Sequence, residues 1–158
     1  MKAHARSAAG FSLIELTVAL GVAAFCLITV FGLIPVALMT QRASVRQTTA
    51  TAIISQIVAD LGAAARLPPG QQSKQFSLKG RWAANATPDQ LYFMTDGTFI
   101  VGSTNQSTVP TNAVFGATVT YLKPPTETTS LADITVTWPA QSAVPTGSVE
   151  TFAAINRQ

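Results

Sequence analysis

The sequence predicts an α+β protein in which one long N-terminal helix packs on a small antiparallel β-sheet. Three observations predict this fold. An apolar run occupies residues 11–39, apolar side chains then recur at helical spacing as far as residue 64, and β-rich segments with turns between them follow from residue 71. With 158 residues, the chain has room for one modest domain and an appendage.

The apolar run of residues 11–39 contains only two ionisable groups, the carboxyl of Glu15 and the thiol of Cys26. About twenty apolar residues span a bilayer as a helix, so the run is long enough with turns to spare. Pro35 removes one helical hydrogen bond, and we therefore expect a kink or local melting between Gly32 and Pro35. The run predicts a transmembrane helix over residues 11–39.

Residues 40–67 are predicted to continue this helix in amphipathic form. Their apolar stripe consists of Val45, Thr49, Ile53, Ile57, Leu61 and Ala64. Asp60 is expected to lie on another face of the helix. Pro68 and Pro69 prevent continuation, so the helix is expected to end near Arg66.

Residues 68–158 are predicted to form a β-rich globular head. The segments QLYFM and TFIVG flank Asp96-Gly97, which is a strong signal for a hairpin turn. Three further segments, AVFGATVTYLK, ADITVTWPA and SVETFAAI, have the alternating β-branched and aromatic residues of strands. We expect a sheet of four or five strands laid on the second half of the helix.

The composition argues against several classes of function. His4 is the only histidine and Cys26 the only cysteine, so no intramolecular disulfide and no Cys-rich metal site are possible. The acidic residues of the head are scattered, without the spacing of a calcium loop. The net charge of +3 is small and the basic residues are dispersed, which predicts no nucleic-acid partner. We therefore expect no catalytic residues, no metal and no cofactor.

Lys2 and Arg6 precede the apolar run, which favours a cytoplasmic N-terminus. Three interpretations compete: a secretory signal peptide, a plain membrane anchor, and a leader that is cut before the apolar run. A secretory signal has a shorter apolar region and a small-x-small cleavage site, which this run lacks. A plain anchor explains the length of the run but not its glutamate, because a carboxylate within a span costs roughly 2.5–3.5 kcal/mol.

The stretch GFSLIELTVAL resembles the N-terminus of type IV prepilins and type II secretion pseudopilins. The resemblance implies that prepilin peptidase cuts between Gly10 and Phe11, removes residues 1–10 as a leader and N-methylates Phe11. It also implies that Glu15, the fifth residue of the mature chain, mediates subunit assembly. The implied partners are the peptidase, inner-membrane lipid and other pilin or pseudopilin subunits. The implied location is the bacterial inner membrane, crossed once, with the head in the periplasm, and then the filament.

The expected cut gives a physical reason for Glu15. It would leave an ammonium group on Phe11 at the edge of the apolar phase, and a carboxylate four residues later could pair with it. The partner amine could be that of the same chain or that of the next subunit, and the resemblance favours the next subunit. The alternative is a carboxylate that snorkels to the headgroups.

Together these features predict a minor pilin or minor pseudopilin. The segment ELTVALGVAAFCLITVFGLIPVAL is similar also to the pilin-like cassette B proteins of verrucomicrobial genomes. The alternative function is a single-pass, membrane-anchored binding protein that does not assemble and carries a periplasmic β-rich head.

Overall fold

A computed structural model describes residues 10, 12–68, 70–80, 87–126 and 129–156. One helix and four strands follow in the order α1 (Leu13–Ala64), β1 (Asp89–Phe93), β2 (Phe115–Thr126), β3 (Thr129–Trp138) and β4 (Gly147–Asn156). The chain divides into two compact units between Ala43 and Ser44. This is an α+β layout of one long N-terminal helix and a small antiparallel sheet, which confirms the predicted fold class.

The first unit contains the apolar part of α1. The large apolar side chains from Leu13 to Met39 are each 45% exposed or more. Helix α1 includes an 18-residue window with a mean hydropathy of 2.5, none of it buried. One helix near the N-terminus is therefore long and apolar enough to cross a membrane.

The prediction of local melting before Pro35 is wrong, because α1 is helical throughout Gly32–Pro35. Proline removes one backbone donor, which leaves the Phe31 carbonyl without its usual partner four residues later. The turns on both sides keep their own hydrogen bonds, and a long helix tolerates the loss of one.

The second unit begins within α1 and contains the hydrophobic core. On α1 the buried residues are Ala50, Ile53, Ile54, Ile57, Asp60, Leu61 and Ala64. Most of the predicted stripe is thus confirmed, whereas Val45 is 58% exposed and lies outside the core. Asp60 was expected to face away from the core and is instead only 7% exposed. Its partners, described below, lie in the segment that follows the helix.

The four strands form one antiparallel sheet in the order β1-β2-β3-β4. Val119 of β2 pairs with Ile134 of β3, and Val136 of β3 pairs with Val149 of β4. Along β3 the buried residues alternate with partly exposed ones, as expected for a strand with one face on a core. The buried face of β3 packs with the α1 stripe in a single hydrophobic cluster.

The predicted hairpin at Asp96-Gly97 forms its turn but not its second strand. Gly97 has φ +83°, and the Asp96 carboxylate accepts the Thr98 N–H at 2.9 Å. That hydrogen bond lowers the pKa of Asp96. Beyond Thr98 the chain forms one bridge, Phe93 with Phe99, before it turns away at residues 101–102. Among the described residues the sheet therefore has four strands rather than five.

Candidate assembly site at the start of α1

The residues singled out by the sequence lie around the first turn of α1. Gly10 is exposed and Glu15 is in the first turn of the helix. Phe11, the expected first residue of the mature chain, lies outside the described residues. A Cβ atom built on Gly10 would meet no atom within 4 Å, so packing does not require glycine at this position.

The Glu15 carboxylate folds back onto the helix start. The Ser12 backbone N–H donates to Glu15 Oε2 at 2.9 Å, and the Leu16 N–H donates to the Ser12 carbonyl at 3.2 Å. Ser12 is thus the N-cap residue, and Glu15, three residues later, supplies the glutamate half of a capping box. Negative charge in the first turn also complements the helix dipole. Sequence reasoning missed this contact, although Ser-x-x-Glu before an apolar run is its usual signal.

The hydroxyl groups of the apolar part of α1 have partners within the helix. Thr17 donates to the Ile14 carbonyl at 2.9 Å, Thr29 to the Phe25 carbonyl at 2.9 Å and Thr40 to the Val36 carbonyl at 3.0 Å. These contacts allow threonine to lie in an apolar environment without an outside partner. Glu15 differs from them because it is a carboxylate on an apolar surface, and one backbone N–H does not neutralise its charge.

In the second unit, Asp60 of α1 organises the segment that follows the helix. Its carboxylate accepts the backbone N–H groups of Phe76 at 3.1 Å and Gln75 at 3.3 Å, together with the Ser73 hydroxyl. Ser73 Oγ in turn accepts the Leu78 N–H at 2.8 Å. These bonds satisfy a buried acid without a cation, since a carboxylate can accept several donors.

Asp89, the first residue of β1, is the centre of a second buried network and is 1% exposed. Its Oδ1 accepts the Lys79 ammonium at 3.1 Å and the Asn105 amide at 2.8 Å, while its Oδ2 accepts the Tyr121 hydroxyl. Burial, followed by the hydrogen bond to Asp89, raises the pKa of Tyr121, so this phenol stays protonated and continues to donate. The Lys79 ammonium also lies 5.1 Å from the centre of the Tyr121 ring.

Both acidic networks link distant segments of the second unit, and neither has the composition of a metal centre. Within the described ranges, no group of three or more His, Cys, Asp or Glu side chains is placed to hold a metal ion. The sequence carried no signal for these networks, because their partners lie between 10 and 32 residues away along the chain.

Comparison with protein-family models, with curated proteins and with solved structures gave no match for this chain.

Proposed function

We propose that this chain is a prepilin-like structural subunit. In this proposal, prepilin peptidase cuts between Gly10 and Phe11 and methylates the new amine. The apolar part of α1 then holds the subunit in the bacterial inner membrane, with the N-terminus cytoplasmic and the head periplasmic. From there the subunit enters a type IV pilus or a type II secretion pseudopilus as a minor component, through contacts between N-terminal helices.

The observation that carries the proposal is the position of Glu15. It is the only Asp or Glu in the apolar run of residues 11–39, and it lies in the first turn of a helix whose large apolar side chains from Leu13 to Met39 are exposed. Such a surface needs lipid or neighbouring helices to cover it. A carboxylate on it needs a cation, and the Ser12 N–H is neutral.

The proposed cut would supply that cation. A new ammonium on Phe11 would lie four residues before Glu15 in the sequence. Pairing it with the Glu15 carboxylate of a neighbouring subunit would neutralise two charges in an apolar phase and set the axial register of the two helices.

Processing is the direct test of the proposal. Intact-mass and N-terminal peptide analysis of membrane-extracted protein should find a chain that begins at N-methylated Phe11. The substitution Gly10→Arg should leave residues 1–10 attached, because the peptidase requires glycine before the cut. Wild-type protein from cells that lack the peptidase is the matched control. A Met1 terminus on wild-type protein from cells with active peptidase would overturn the proposal.

The second candidate function, a single-pass anchored protein that does not assemble, is favoured by one specific observation. The Ser12–Glu15 contact gives the carboxylate a local role in starting the helix. If that role were sufficient, the protein would remain as single copies in the membrane. Chemical cross-linking in intact cells followed by detection of the head separates the two functions: a filament subunit is captured in complexes with other subunits, and a single-copy anchor remains a monomer.

A further inference from the structure

Arg42 marks the end of the long apolar surface on α1. It is exposed and follows Met39, which is itself 71% exposed. It is the first charged residue after Glu15 in the sequence, and no Asp or Glu occurs from residue 16 to residue 59. No acid within four helical turns on either side of Arg42 can therefore pair with it along its own helix.

The rest of the described chain offers Arg42 no acid either. Among the described residues the only salt bridge joins Lys79 to Asp89, and Asp60 is occupied by its own donors. The permanently charged guanidinium at the end of the apolar surface is therefore exposed, with no acid of the described residues paired with it, and is accessible to an outside anion. If the apolar segment spans a membrane, its end lies at the membrane surface, where the available anion is a lipid phosphate.

We propose that the Arg42 guanidinium binds the phosphate of a lipid headgroup at the membrane surface where the apolar segment ends. The guanidinium presents parallel N–H donors that match two phosphate oxygens, and its long stem can lie along the apolar surface while the charge reaches the headgroups. The contact fixes the depth of the helix at the end opposite Glu15. This inference rests on the proposed membrane insertion and goes beyond it by naming the ligand and the residue.

The contact can be measured as a distance between the arginine carbon and lipid phosphorus. Full-length protein with ¹³C at arginine Cζ is placed in phospholipid bilayers in phosphate-free buffer, and rotational-echo double-resonance NMR reports ¹³C signal that is dephased by ³¹P. Arg42→Gln should remove the part of the dephased ¹³C signal that comes from the Arg42 Cζ atom. Arg46→Gln, four residues further along the chain, is the matched control and should leave it unchanged. Dephasing that is undiminished in Arg42→Gln, or that is lost in Arg46→Gln instead, overturns the assignment.

Cys26 provides a second readout that separates this inference from the proposed membrane insertion. It is exposed, is the only cysteine and lies midway between Leu13 and Met39. A nitroxide on Cys26 should lie near the bilayer centre in wild-type protein and move by roughly 3–5 Å, up to one helical turn, in Arg42→Gln. A shallow wild-type label would show that membrane insertion itself is wrong. A deep label, with unchanged depth and unchanged ³¹P dephasing in Arg42→Gln, would overturn the phosphate contact alone.

Discussion

The two units of this protein treat acidic side chains in opposite ways. In the second unit, Asp60 and Asp89 are buried, and each accepts hydrogen bonds from three residues of the same chain. In the first unit, Glu15 is exposed on an apolar surface and has one described partner, the Ser12 N–H. The second unit thus supplies Asp60 and Asp89 with donors of its own, whereas no cation pairs with Glu15 among the described residues of the first unit.

The same contrast holds for apolar side chains. Ile53 and Ile57 of the second unit are fully buried, whereas Ile14 and Ile28 of the first are 69% and 71% exposed. Burial of apolar area stabilises the head without any partner. The exposed apolar surface of the first unit gains comparable free energy only when lipid or another helix covers it. The comparison thus places the hydrophobic core in the second unit and an uncovered apolar surface in the first.

The largest expected effect on stability is the loss of Asp89. Asp89→Ala leaves the Lys79 ammonium, the Tyr121 hydroxyl and the Asn105 amide without their shared acceptor. We expect the free energy of unfolding of the head to fall by about 3–4 kcal/mol, because breaking one side of a buried pair strands the remaining partners. Urea unfolding of the full chain in detergent, monitored by tryptophan fluorescence, measures this free energy. Asp96→Ala, at an exposed turn, is the control and should lower it much less. Equal effects would contradict the role assigned to the Asp89 network.

The next prediction compares the substitution of isoleucine by alanine in the two units. Ile57→Ala removes a fully buried side chain and should lower the free energy of unfolding of the head by about 2–4 kcal/mol through lost burial and a cavity. Ile28→Ala removes an exposed side chain and should change it by less than about 0.5 kcal/mol. The same denaturation assay applies. A destabilised head in Ile28→Ala would contradict the separation of the two units.

Periodicity predicted the parts of the fold that the hydrophobic pattern controls. Ile53, Ile57 and Leu61 recur at helical spacing and are buried, and the three long β-rich segments became β2, β3 and β4. The predicted second arm of the hairpin failed beyond Phe99, where Gly102 with φ +79° directs the chain into a turn. The turn that glycine favours at position 102 ends the extended backbone that the β-propensity of the preceding residues predicts.

The polar contacts were much less predictable. A lone aspartate beside an apolar stripe is ordinarily solvated, whereas the buried Asp60 accepts the Ser73 hydroxyl and the backbone N–H groups of residues 75–76. Such pairings depend on tertiary structure, which no local pattern encodes. The Ser12–Glu15 contact is local, and the Ser-x-x-Glu pattern could have predicted it. The cleavage and methylation of Phe11 stay predictions from the sequence motif.

The smallest expected effect on stability belongs to Glu15, and the same position can separate its two roles. Glu15→Leu and Glu15→Gln should each change the free energy of unfolding of the head by less than about 0.5 kcal/mol, since neither touches the second unit.

Both variants should insert in the membrane, yet neither should enter filaments, because each lacks the carboxylate that would pair with a neighbour's ammonium. Glutamine can still accept the Ser12 N–H and keep the helix start intact, whereas leucine cannot. The fraction of each variant captured in cross-linked complexes with other subunits measures the outcome, and Thr17→Val, which retains the acid, is the control. If Glu15→Gln enters filaments normally while Glu15→Leu does not, the cap is the whole function of this side chain and the counter-ion role is wrong.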